Sequence, residues 1–169
     1  MDNAMDNQQV KISWQWLAGF YDGEGCLNLT HQKSKRNTAF SPQIDLVNTN
    51  HAAMELIISF LADLDIPVYV SKSKKHGVFH RDSGRSHKQR MTIRIARMKS
   101  VKRFLEHISP YLVLKREQAE LLLEFVSSRA ERYTKTTDRD FVIYKRLREL
   151  NGKGVLIETS EANTPSNES

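Results

Sequence analysis

Only one cysteine, Cys26, occurs in the 169 residues, so no internal disulfide can form. Long apolar runs are missing as well, since the longest, LIISFLA at 56–62, is far too short to cross a bilayer. The opening MDNAMDNQQ lacks the basic-then-apolar layout of a signal peptide. No Walker loop or dinucleotide fingerprint occurs, and there is no heptad pattern or repeat at a solenoid period. These absences predict a soluble, intracellular protein with one ordinary hydrophobic core. Glycine is scarce too, seven in all, yet three fall between positions 19 and 25, in the stretch WLAGFYDGEGC. Each glycine inside a helix costs roughly 1 kcal/mol relative to alanine, so something must offset this cluster.

Acidic residues are scarce in the middle of the chain. Between residues 31 and 103 there are five Asp/Glu against 15 Lys/Arg, a local charge of +10 in a protein whose net charge is +6. The rest of the chain is therefore net acidic, and the positive field is concentrated. That distribution fits an anionic partner, with nucleic acid first among the candidates. A solvated basic surface is the plainer reading.

Hydrophobic periodicity predicts helices at about 13–23, 50–64, 99–108, 115–132 and 138–150. Asn50 is placed to cap the second, whose Leu56, Ile57, Phe60, Leu61 and Leu64 are expected to share a face. Leu121, Leu122 and Phe125 mark the fourth, and Phe141, Tyr144 and Leu147 the fifth. Strands are predicted where apolar and polar residues alternate. Leu27 and Leu29 alternate with Asn28, Thr30 and Gln32; Ile44 and Leu46 with Gln43 and Asp45; Val68 and Val70 with Tyr69 and Ser71; and Met91, Ile93 and Ile95 with Arg90, Thr92 and Arg94. Such alternation describes a sheet with one oily and one polar face. Two basic connections, HQKSKRNT at 31–38 and SKSKKHGVFHRDSGRSHK at 71–88, join the strand pairs, and the small polar tail from Asn151 reads as disordered.

A curved antiparallel ribbon fits the major groove of DNA, where arginine pairs bidentately with guanine while basic loops hold phosphates. Asn28, Gln32, Gln43, Tyr69, Arg90 and Arg94 are the donor-bearing side chains such a face would use, although an ordinary solvated sheet alternates in the same way.

In the first helix Gly19 and Gly23 share a face, and Ala18 and Asp22 the neighbouring one. Small residues at that spacing let a second helix approach closely, which would offset the propensity cost. Gly25 then ends the helix, as C-terminal glycines do, leaving Glu24 at the junction with the first strand. A carboxylate there opposes the helix dipole unless a cation compensates it, and a divalent metal ion would do so.

WLAGFYDGEG resembles the motif of the LAGLIDADG homing endonucleases. Leu17, Ala18, Gly19, Asp22, Gly23, Glu24 and Gly25 match it, with Glu24 in place of the final, catalytic aspartate. The segments IDLVNTN at 44–50 and PYLVLKREQAELL at 110–122 stand where that family would place a strand end and a lysine before a helix. The resemblance covers about residues 13–150. It implies an α+β fold with an αββαββα core, a curved antiparallel four-stranded DNA-binding sheet and additional C-terminal helices, flanked by a flexible segment at 1–12 and a disordered tail at 151–169.

Because one motif occurs rather than two, the resemblance implies a homodimer joined through the motif helices, with Trp16, Ala18, Gly19, Asp22 and Gly23 at the interface. It implies an intron-encoded, metal-dependent enzyme that hydrolyses both strands of a long, palindromic or nearly palindromic DNA target. Such a protein resides in a prokaryotic cytoplasm or a eukaryotic organelle. Glu24 carries over as the metal carboxylate, with the carbonyl of Gly23 beside it, for Mg²⁺ or another divalent cation such as Mn²⁺ or Ca²⁺. Lys115 carries over as the active-site lysine and Asn48 as the polar residue that orients solvent. DNA contacts are expected from Asn28, Thr30, Gln32, Gln43, Tyr69, Ser71, Arg90, Thr92 and Arg94 on the sheet. The basic connections add Lys33, Lys35, Arg36, Lys72, Lys74, Lys75, Arg81 and Arg85.

The chain departs from the family pattern in one place: His51, Ala52 and Ala53 stand where some members carry a further basic residue. Two other functions suit the same scaffold: an RNA-binding intron maturase and a non-catalytic DNA-binding regulator. A zinc site at His76, His80 and His87 lacks a fourth soft ligand nearby. Cys26 reads as a small buried strand residue, and Trp14 and Trp16 as core or interface.

Overall fold

The computed structural model describes residues 11–33, 38–73, 88–131 and 136–152. Its elements follow the order α1 (Trp14–Glu24), β1 (Gly25–Lys33), β2 (Thr38–Asn48), α2 (His51–Asp63), β3 (Tyr69–Lys72), β4 (Met91–Ile95), α3 (Met98–Ile108), a short 3₁₀ turn (Ser109–Tyr111), α4 (Arg116–Glu131) and α5 (Asp138–Leu150). This is the expected αββαββα core with two further helices. The caps explain where helices begin: Trp16 N donates to Ser13 Oγ at 3.2 Å, and Ala53 N to the Oδ1 of the expected cap, Asn50, at 3.2 Å.

The four strands form one antiparallel sheet in the order β1-β2-β4-β3. Leu27, Leu29, Phe40, Ile44, Leu46, Met91, Ile93 and Ile95 are buried on one face, against Leu17 and Tyr21 of α1, Ile57 and Leu61 of α2, and Phe104 of α3. Period-two alternation thus sends every second residue into a core that the helix stripes complete. Strand β4 pairs with β2 only over 44–48, so residues 28–33 and 38–43 run on as a two-stranded ribbon.

Several expectations change. Leu56 turns toward solvent at 42% exposure, while Met54 takes its place in the core. Val70 is 46% exposed and no residue of β3 is buried, because β3 is a four-residue edge strand. Ile12, expected in a flexible segment, is buried, and Asn151, expected in a disordered tail, donates from Nδ2 to the carbonyl of Leu27 at 2.8 Å. Gly25 does end α1, yet in an extended conformation (φ −84°, ψ 159°) rather than the left-handed one. What demands glycine there is the ring of Tyr21, whose carbons would lie 2.5 Å from an added Cβ.

Candidate active site and nucleic-acid face

Glu24 is the last residue of α1 and points into open surroundings, with no hydrogen bond or ion pair to any described residue. Gly23 beside it is exposed. One turn of chemistry is built around Asp22: its Oδ2 accepts from Val113 N at 2.8 Å and its Oδ1 from Lys115 N at 3.0 Å. The ammonium of Lys115 in turn donates to the backbone carbonyl of Asp22. Asp22, expected at the interface or the helix end, therefore fastens the strap between the 3₁₀ turn and α4 at the end of its own helix. The compensating cation at this helix end is, within the protomer, Lys115.

Asn48 ends β2, two positions past Leu46, which pairs with Gly25, so it stands level with the end of α1. Its Oδ1 accepts from Asn50 N at 2.7 Å, leaving its Nδ2 as the group it offers. His51, at the position without an assigned role, lies with Nε2 2.9 Å from the carbonyl of Gln89 and ties α2 to the start of β4.

On α1 the exposed side comprises Trp16, 39% exposed and stacked on Phe20 with centroids 5.3 Å apart, together with Gly19 and Gly23. A Cβ added at either glycine meets no atom within 4 Å. Ala18 departs from the expectation: it is fully buried in the protomer's own core, a quarter-turn away from that face. Val113 and Leu114, 77% and 73% exposed, sit on the strap that Asp22 holds. Trp14 packs inward against Phe60, Phe104 and His107.

The sheet register places Asn28, Thr30, Gln32, Gln43, Tyr69, Ser71, Thr92 and Arg94 on the face opposite the helices. Arg90 joins them through the Ser73 pairing, with Ser73 N donating to Arg90 O at 2.8 Å. Lys33 and Lys72 are set on the other side, Lys33 opposite Thr38 and Lys72 opposite buried Met91, so they do not join this face. Cys26 is half-buried on the polar face opposite Asp45, where a buried site was expected. Arg94 is engaged by Asp45, directly across the strand, through Nε–Oδ1 at 2.6 Å and Nη2–Oδ2 at 2.9 Å. That fork raises the pKa of Arg94 and fixes its orientation. Lys35, Arg36, Lys74, Lys75, Arg81, Arg85, His76, His80 and His87 lie outside the described residues.

Sequence reasoning did not find Asp45 as the partner of Arg94, although cross-strand opposite charge was a usable signal. The Asp22 strap left no local signal, its partners being 91 and 93 residues away. Among the described residues no group of three or more His, Cys, Asp or Glu gathers into a complete metal site. Glu24 supplies one hard oxygen ligand of the kind Mg²⁺ takes, so the protomer fits a contributed ligand and not a closed cage.

Residues 17–123 match the LAGLIDADG endonuclease family. The chain belongs to that family. Among solved structures, this LAGLIDADG chain is similar to the homing endonuclease I-CvuI in complex with a DNA target (22% identity, 83% of this chain and 78% of that one, TM-score 0.53). It is also similar to the homing endonuclease I-TnaI (18% identity, 85% and 98%, TM-score 0.58). The archaeal intron-encoded homing endonuclease I-Vdi141I, complexed with DNA, is a further relative in fold (11% identity, 85% and 84%, TM-score 0.60). At these identities the likeness is one of fold. No match is found among curated proteins. Among the described residues of this LAGLIDADG chain, no helix is long and apolar enough to cross a membrane.

Proposed function

We propose that the protein is a homodimeric, divalent-metal-dependent endonuclease that cuts both strands of a specific, palindromic or nearly palindromic DNA site. Residues 13–150 form its single endonuclease domain. The observation that carries this reading is the unpaired carboxylate of Glu24 at the end of α1, with the ammonium of Lys115 held at the carbonyl of Asp22 on the same helix end. A pure binding protein has no use for that pairing of charge types.

One ligand per protomer makes sense when two copies share the site. The exposed glycine side of α1, flanked by Trp16 and joined through Asp22 to the strap that carries exposed Val113 and Leu114, is a surface that a second α1 would cover. Chain lengths support this: the fold covers 45% of I-GzeII and 48% of I-LtrWI, leaving room in those chains for a second copy, whereas it covers 98% of I-TnaI. In the dimer, Glu24 and the carbonyl of Gly23 from each protomer would hold the cation. Bound there, a divalent metal activates water and neutralises phosphate oxygens. Lys115 places its positive charge where negative charge grows as the phosphodiester is attacked, and the Nδ2 of Asn48 orients solvent. The polar face of the sheet reads base edges, with Arg94 aimed by Asp45.

The test incubates the protein and a Glu24→Gln variant with a randomised duplex library, with and without Mg²⁺. Cleavage by the parent alone, only with metal, and binding by both is the expected result. Binding by both proteins with no cleavage in any condition would establish a DNA-binding regulator instead. Intron RNA splicing stimulated by both, without DNA cleavage, would establish a maturase.

A further inference from the structure

The outer half of the β1–β2 ribbon has no strand on either side, since β1 is an edge and β4 stops pairing with β2 at Ile44. An isolated two-stranded hairpin is marginally stable in water, and half of its backbone groups face outward without a strand partner. Yet this ribbon carries Asn28, Thr30 and Gln43 on its polar face. Something outside the sheet has to fix it.

Helix α5 and the residues flanking it supply the missing partners. Asn151 Nδ2 donates to the edge carbonyl of Leu27 at 2.8 Å, and Thr136 Oγ1 donates to the carbonyl of Thr38 at 2.8 Å. These two contacts seize β1 near its root and β2 near its tip. Between them the ribbon's inner face packs on α5 by rings: Phe40 meets Phe141 and Tyr144 with centroids 5.1 and 5.3 Å apart. The anchor is itself tied to α4. Thr136 accepts from Arg129 Nη2 of α4 at 3.3 Å, and the fully buried Asp140 lies 3.5 Å from the same nitrogen.

We infer that α5, which lies outside the family-matched segment 17–123, is a positioning element for sequence reading: its Thr136 and Asn151 clamps hold the outer β1–β2 ribbon at the pitch its base-reading side chains need. The inference rests on the endonuclease reading above. Fixing a recognition surface in advance raises discrimination because a wrong base pair can no longer be accommodated by a shift of the ribbon. The Thr136 contact acts at the ribbon's tip, at the far end of β1 from Glu24, while the Asn151 contact holds the root at Leu27, just past the end of α1.

The experiment compares the full-length protein with the Thr136→Val/Asn151→Ala double variant, after thermal unfolding has shown that the variant folds. Amide hydrogen exchange is followed without DNA, and cleavage is profiled on duplexes substituted one base pair at a time. The expected result is exchange at least about tenfold faster in 28–33 and 38–43 with 44–48 and 91–95 unchanged. Discrimination at the outer base pairs falls about tenfold, while discrimination at the centre and the rate on the preferred duplex hold. Unchanged exchange in the ribbon overturns the inference. So does a uniform loss of protection with equal loss of cleavage on every duplex, which marks a general stabiliser. A parent protein that recognises no duplex overturns the endonuclease reading, and with it the role given to the ribbon, whatever the exchange rates show. If the double variant fails to fold, Thr136→Val alone is put through the same measurements and the same outcomes decide.

Discussion

At the scale of single residues, the site depends on a carboxylate that does no chemistry. Asp22 uses one oxygen for Val113 N and the other for Lys115 N, so the strap carrying Lys115 has a fixed path past the end of α1. Asn at this position keeps one acceptor and turns an NH₂ toward an amide donor, leaving a backbone group unpaired. Asp22→Asn should therefore cost about 1–3 kcal/mol in chemical denaturation. It should also lower the single-turnover cleavage rate more than it lowers DNA affinity, because Lys115 loses its place while the reading face is untouched. Tyr21 shows a different use of burial. Its hydroxyl donates to Cys26 O at 2.8 Å and burial pushes its pKa well above the ordinary value near 10. Below that value both folded and unfolded chains keep the proton. Above it the unfolded chain releases the proton and the folded chain does not, so stability drains away as pH rises. Urea midpoints compared at about pH 8 and about pH 11 should fall more for the parent than for Tyr21→Phe. At the lower pH the variant should be weaker by about 1 kcal/mol for the lost hydrogen bond.

At the scale of elements, the glycines of α1 separate into two kinds. Gly25 is dictated by the protomer, where the Tyr21 ring leaves no room for a Cβ. Gly19 and Gly23 are not, since a Cβ there meets nothing, and helix propensity alone would favour alanine. Gly19→Ala should accordingly stabilise the protomer by about 0.5–1 kcal/mol against denaturant while weakening self-association in sedimentation equilibrium, opposite signs that a purely intramolecular role cannot produce. Sequence periodicity was sufficient to find α1, the four strands and the helices after them, because each buries one face and that face repeats at 3.6 or 2 residues. It misjudged Leu56 and Val70, where an apolar residue stays outside because no element covers it. The motif pointed to Glu24 and the resemblance at 110–122 to Lys115, and the fold sets the Lys115 ammonium at the Asp22 carbonyl on the same helix end. The Asp22 strap and the α5 clamp were not legible, because hydrogen bonds joining residues 91 to 124 positions apart depend on the finished fold and leave no periodic trace.

At the scale of the whole molecule, the charge distribution has a direction. On the outer helices cations are answered locally: Arg139 forks onto Glu124 at 2.7 Å, which lowers the pKa of Glu124, and Arg146 reaches Glu117 at 2.8 Å and Glu149 at 3.3 Å. Such exposed pairs add little stability, but they cancel the field on that side. The surplus of +10 between residues 31 and 103 has few such partners in sequence, so attraction for a polyanion belongs to the sheet and its connections. Affinity for duplex DNA should then fall linearly in a log–log plot against salt, by about 0.9 in slope for each phosphate engaged. Two protomers on one duplex should double the slope that a single protomer would give. The same assembly predicts a concentration law. Below the dimer dissociation constant the cleavage rate should fall with the square of protein concentration, and above it linearly, if, as proposed, Glu24 of one copy supplies only part of the metal site. Initial rates measured across a dilution series at fixed salt decide between this and a lone protomer, for which the rate stays proportional to protein throughout.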